Sequence, residues 1–307
     1  MSDDGARTPP RTLADVSHLF FSGVDDVGTD GVDEAASSKQ AESGETLFLV
    51  VTGGGDAPGK STVAVNMAHA LLPLGRTAIF DADSSLPNAR FYLGMPSWNY
   101  LSPITGDGTQ VPNVETDAGL IIGDWSTGDD CIDRTLGGGS PVQIECPDGA
   151  RRLLRFAVVD VPVSRMETIE RIRSRRGCVV LVARPGRAGF VNAFAALRSL
   201  CSTDAHRAVG LVVNGVPDDA YAIDYYAKMK EAAERLLSVD VVPLGGVRSQ
   251  PGMASVQRER GVIVASRPGA LAALSLRRIA SDAVLLAGEH ARESAFPMKV
   301  SGGKAEP

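Results

Sequence analysis

The chain has 307 residues, 44% of them hydrophobic and 22% charged, with 33 Gly and 18 Pro. That composition describes a soluble globular protein, long enough for one large domain or two ordinary ones. No run of about 18 uncharged apolar residues occurs, which excludes a membrane-spanning helix, and residues 1–10 lack the basic and then apolar regions of a signal peptide.

The net charge of −6 is unevenly placed. Residues 1–46 hold ten acidic side chains against Arg7, Arg11 and Lys39, a net −7, whereas the remainder carries 28 basic and 27 acidic groups. A near-neutral globular part argues against a surface that coats nucleic acid. The 1–46 tract is rich in Ser, Gly, Ala and Asp and cannot bury enough surface to offset its ordering entropy, so it is expected to be a disordered acidic tail. Within it, residues 13–21 differ: Leu13, Val16, Leu19 and Phe20 follow helical spacing. This segment either packs back on the domain or folds on a protein partner.

From residue 47 the pattern turns to strand, glycine turn, helix and strand, repeated. Strands are expected at 47–51, 77–80, 119–122, 156–159, 178–183, 209–213 and 239–242. Most are continuous apolar runs, as in parallel strands covered on both faces. Helices are expected at 61–74, 190–201, 222–237 and 270–287. The expected fold is α/β, a doubly wound and mostly parallel sheet with helices on both faces. Its domain spans 47–290 and is followed by a flexible 291–307 tail. Residues 98–150 carry few helical signals and are expected as surface loops and short edge pieces. Cys131, Cys146, Cys178 and Cys201 show no metal-ligand spacing and read as incidental thiols in a reducing cytoplasm.

The strongest chemical signal follows the first strand. Gly54-Gly55-Asp56-Ala57-Pro58-Gly59-Lys60-Ser61 fits G-x-x-x-x-G-K-[ST] between a strand and a helix, the context of a P-loop. Its glycines let backbone N–H groups converge on phosphate, and the helix N-terminus adds positive potential. Lys60 would reach the phosphates, Ser61 would offer a hydroxyl to Mg²⁺, and Thr62 follows in the same turn. Asp81 and Asp83 end the second strand, and Asp160 ends the run Phe156-Ala157-Val158-Val159. An Asp at a strand end is often a mere cap. Three beside a P-loop point instead to metal binding by Asp81 and Asp160.

With these motifs in place, residues 46–288 resemble the MinD/ParA family of P-loop ATPases. Asp81-Ala82-Asp83-Ser84-Ser85-Leu86-Pro87-Asn88 looks like that family's D-x-D-x-x-x-x-N element. The resemblance implies that Asp83 orients the attacking water, that Asn88 is a switch residue near the γ-phosphate and that Asn214 contacts adenine. Val242-Pro243-Leu244-Gly245-Gly246-Val247 and the run from Gln257 to Val264 are similar to the flagellar-number regulator branch, FlhG/FleN. So is Pro185 followed by Asn192-Ala193, where that branch has Asp-Ala. ATP, Mg²⁺, a protein partner and a nucleotide-dependent homodimer are what the resemblance implies.

The departures are specific. The family's second P-loop lysine, which crosses a dimer interface to the partner's nucleotide, is replaced by Gly55. Asp56 and Ala57 stand for the usual glycine pair, and Arg248 stands where the family tends to have Pro. Three readings therefore stay open: a slow ATPase that regulates positioning or assembly of a cellular machine, a nucleotide-binding scaffold without turnover, and a relative of the tyrosine autokinases of polysaccharide export. The last rests on Pro87 and the stretch 180–186, with Tyr221, Tyr225 and Tyr226 as candidate acceptors, although i, i+4 spacing makes Tyr221 and Tyr225 simpler as packing residues. The 270–287 helix reads as packed on the sheet rather than as an interfacial anchor. The protein is thus expected in the cytoplasm, reaching the inner membrane surface only through a partner.

Overall fold

Chain order alternates strands and helices. Strand β1 (Leu47–Gly53) leads to helix α1 (Lys60–Leu71), β2 (Thr77–Asp81) and a short α2 (Ala89–Tyr92). Next come β3 (Val114–Glu115), β4 (Ile121–Asp124), β5 (Gln143–Glu145), β6 (Arg151–Leu153), β7 (Phe156–Asp160) and α3 (Met166–Ile172). The chain continues with β8 (Gly177–Ala183), α4 (Gly186–Ser202), β9 (Val209–Val216), α5 (Asp219–Leu237), β10 (Val241–Arg248), α6 (Ile263–Ser266) and α7 (Leu271–Ala295). The computed structural model describes residues 45–55, 59–83, 89–94, 114–125, 132–133, 135–136, 141–145, 151–172, 175–202, 208–251 and 262–295.

The main sheet has the order β10-β9-β8-β1-β7-β2-β4-β3. Its first seven strands pair in parallel, and only β3 runs antiparallel, against β4. Parallel strands need crossovers, and the helices that supply them cover both faces. Alternation along β1 shows the two layers: Phe48 and Val50 pack toward α3, α4 and α5, while Leu49 and Val51 pack toward α1, α6 and α7. This double burial makes the strands read as unbroken apolar runs. The doubly wound, mostly parallel sheet expected from the sequence is the one observed.

Helix α1 is buried on nearly all sides, which suits its small residues Ala64, Ala68 and Val65. Asn66 shows why a polar residue is tolerated there: its amide donates to Thr62 O (2.8 Å), and its Oδ1 accepts from Val264 N–H (2.9 Å), fastening α6 to α1. Helix α7 buries Ala272, Ala273, Leu276, Ile279, Ala280 and Ala283 against the sheet and α1. It runs to Ala295, past the expected end at 287.

The expectation of surface loops within 98–150 needs correction. Trp125, Ile132, Leu136, Val142 and Ile144 are core residues, and Trp125 stacks on Phe80 with centroids 4.3 Å apart. Elements of two to four residues show no hydrophobic period, so their inward side chains leave no pattern in the sequence. The boundary drawn after residue 46 likewise falls inside the packed region. Thr46 is buried, donates to Leu154 O (2.7 Å) and accepts from Val142 N–H (2.8 Å). The rest of the expected tail, including the 13–21 segment, lies outside the described residues, as do 296–307, Cys131 and Cys146.

Candidate nucleotide site

The C-terminal edges of β1, β7, β2 and β9 converge where an open parallel sheet places its ligands. Register sets the spacing: Val51 of β1 pairs with Asp160 of β7, which pairs in turn with Asp81 of β2. Two carboxylates and the end of β1 are thereby brought side by side.

Gly59 starts α1 in the left-handed region (φ +102°) with no side-chain cap among the described residues. A side chain at Gly59 would also collide with Asn214, whose Nδ2 lies 1.9 Å from where a Cβ would sit. Asn214 of β9 therefore lies directly against Gly59 at the start of α1. Lys60, Ser61 and Thr62 follow in the first turn and are buried.

The Lys60 ammonium pairs with Asp160 Oδ1. Asp160 is completely buried, and its Oδ2 has no partner among the described residues. Such a lone acceptor is costly in a dry interior. Next to it, Asp81 accepts backbone N–H bonds at both oxygens, from Asp83 (3.0 Å) and from Ala89 (2.9 Å). Burial, and then the neighbouring Asp160 carboxylate, push the Asp81 carboxyl up to about 7, against the pull of those N–H groups and of Lys60. Asp81 thus anchors both ends of the 83–89 stretch, and Asp83 lies half-buried at its start. Asp56, Ala57, Pro58 and Asn88 fall outside the described residues.

Arg165 escapes sequence reasoning. Its guanidinium donates to the carbonyls of Ala82 (3.0 Å) and Trp125 (3.2 Å), the residues that follow β2 and β4. The Ala82 N–H donates in turn to Asp160 O (2.9 Å). The peptide between Asp81 and Asp83 is therefore held on both sides. A lone arginine five residues past a strand end carries no signal of its own.

The tyrosines are engaged in packing. The Tyr221 hydroxyl accepts from Gly186 N–H (2.8 Å), the Tyr226 hydroxyl donates to Val241 O (3.0 Å), and Tyr225 is buried against Phe190. Arg248, in the proline position, forms a two-bond pair with Asp219. No group of three metal-ligating side chains occurs among the described residues. No helix among them is long and apolar enough to cross a membrane.

A buried helix opened by Gly59, with strand-end carboxylates beside it on a mostly parallel sheet covered on both faces, is the arrangement of the MinD/ParA fold. Comparisons agree. No protein-family model matches the chain, but it is similar to the flagellum site-determining protein YlxH of Helicobacter pylori. The two are 24% identical over 241 residues, 77% of this chain and 81% of that protein. Its fold is similar to that of MinD from Aquifex aeolicus, with TM-score 0.56 and 15% identity over 77% of this chain and 95% of the other. It is also similar to the septum site-determining protein MinD of Pyrococcus horikoshii, solved with Mg-ADP: TM-score 0.54 and 19% identity over 80% and 98% of the two chains. A ParA family ATPase from Chlorobium tepidum gives TM-score 0.52 at 12% identity over 78% and 99%.

Proposed function

We propose that this chain is a nucleotide-dependent regulator of the positioning or assembly of a cellular machine, and that Mg²⁺–ATP binding and slow hydrolysis switch its affinity for a protein partner. The observation that carries this reading is the buried Lys60–Asp160 pair at the uncapped start of α1. The Lys60 ammonium and a carboxylate oxygen with no partner among the described residues meet there at the C-terminal edge of the sheet. The flagellum site-determining relative supports the positioning role, and the neighbour solved with Mg-ADP supports the ligand.

The residues suit such a ligand. The N–H groups of the P-loop and the Lys60 ammonium would bind phosphate oxygens, with Asn214 beside them for the base. Ser61 and Asp160 would hold Mg²⁺, the hydroxyl directly and the carboxylate through water. Bound Mg²⁺ neutralises charge on the phosphates. Asp81 holds the N–H groups of Asp83 and Ala89 with its two carboxylate oxygens, and Asp83 would accept a hydrogen bond from the attacking water and orient it. Calorimetry with Mg-ATP tests the assignment: Lys60→Ala removes binding, and unchanged affinity refutes it. Phosphate release from the full chain that falls on Asp83→Ala supports turnover.

A binding scaffold without turnover is the second reading, favoured by Gly55 in the place of the family's second lysine. Release that is absent, or indifferent to Asp83, selects it. The cytoplasmic location and recruitment to a membrane surface by a partner, with residues 13–21 as the contact, belong to the same proposal. A pull-down with the 1–46 tail tests it.

A further inference from the structure

Helix α4 meets the loop after β1 at Asn192 and Ala193. The Asn192 carbonyl oxygen lies 1.7 Å from where a Cβ on Gly54 would sit, so helix backbone and loop backbone are in direct contact. The Asn192 amide Nδ2 lies 2.9 Å from where a Cβ on Gly55 would sit, directly over the next loop residue. Gly55 itself has φ +59°, a conformation that side-chain-bearing residues seldom adopt. Asn192 is nonetheless exposed, with its amide over Gly55, near the start of the loop that, on the nucleotide-binding reading, receives phosphates.

From this geometry we infer that Asn192 is a phosphate-contacting residue of the nucleotide site and favours a triphosphate over a diphosphate. The inference rests on the nucleotide-binding reading given above. A side-chain amide is a neutral donor, and one that reaches a phosphate oxygen makes a charge-assisted hydrogen bond. Its chemistry also explains the residue type. A carboxylate at 192 would stand beside phosphate oxygens with no cation at position 55 to offset it, whereas the amide adds a donor without repulsion. The glycine at 55 and the amide at 192 are thus two halves of one arrangement: no charge on either side of the mouth. The site is completed within one chain, by α4 rather than by a lysine on the loop.

The test is isothermal calorimetry on the full chain with Mg²⁺ and two probes, ADP and the non-hydrolysable β,γ-imido analogue of ATP. Asn192 is exposed on a helix, so Asn192→Ala and Asn192→Asp are expected to fold, which circular dichroism checks. Asn192→Ala lowers affinity for the triphosphate analogue about tenfold, equivalent to about 1.4 kcal/mol, and leaves ADP within about twofold, less than a third of that energy. Asn192→Asp lowers triphosphate affinity further than Asn192→Ala does, and the gap between them narrows at high salt. A ratio of triphosphate to diphosphate affinity that is the same in all three proteins overturns the inference and leaves nucleotide binding intact. If the unsubstituted chain binds neither probe, the nucleotide-binding reading falls and the role of Asn192 falls with it.

Discussion

Removing the Lys60 side chain tests the site before any ligand is added. Lys60 and Asp160 form an ion pair whose side chains are 10% and 0% exposed, and the other Asp160 oxygen has no partner among the described residues. Lys60→Met keeps most of the stem volume but leaves a carboxylate buried without a cation. Breaking a buried pair from one side costs about 3–5 kcal/mol, while replacing both partners is often close to neutral. For a domain of this size that loss lowers Tm by about 10 °C. Scanning calorimetry on nucleotide-free protein measures it, and Asp160→Asn together with Lys60→Met/Asp160→Asn supply the other two corners of the cycle. The double variant recovers more than half of the loss, a coupling of at least about 2 kcal/mol, as contacting residues show. If Lys60→Met melts within about 0.5 kcal/mol of the unsubstituted protein, the range of an inert surface change, the pair does not hold these elements together and the reasoning fails.

Asp81 makes stability depend on pH in a definite direction. Its folded value is raised from 3.8 to about 7, so its contribution is fully present below about pH 4 and is lost as pH rises toward 7, at up to about 1.4 kcal/mol per pH unit. Asp81→Asn flattens that slope in denaturant titrations between these limits, and parallel slopes would show that the carboxyl is not the cause. Arg165→Ala frees the Ala82 and Trp125 carbonyls, costs about 2 kcal/mol as charged hydrogen bonds to these groups are lost, and speeds amide exchange at Ala82 and Asp83. Exchange there that stays at the unsubstituted rate contradicts the clamp. Tyr225→Phe removes a buried hydroxyl with no partner among the described residues, whose ionisation burial pushes well above the usual phenol range. It is neutral or stabilising by up to about 1 kcal/mol, and a clear loss of stability in urea would reveal a partner for that hydroxyl.

The parts of this protein legible in the chain are those written in consecutive residues. Seven apolar runs, six of them expected within about three residues of their observed bounds and the last, 239–242, six residues short of the end of β10, announce the parallel sheet because a strand covered on both faces needs no polar positions. The P-loop motif is a contiguous string from Gly54 to Ser61. Tertiary structure decided the rest. It brings Asp160 to Lys60 across 100 residues of sequence, sets Arg165 against Ala82 and Trp125, and lays the amide of Asn192 over Gly55. It also carries Trp125, Ile144 and Thr46 inside, although nothing beside them in sequence marks them as core. Local spacing reports which face of an element is buried, since that periodicity belongs to a single strand or helix. Which residues from different elements meet depends on strand order and register, and these follow from packing the whole sheet at once.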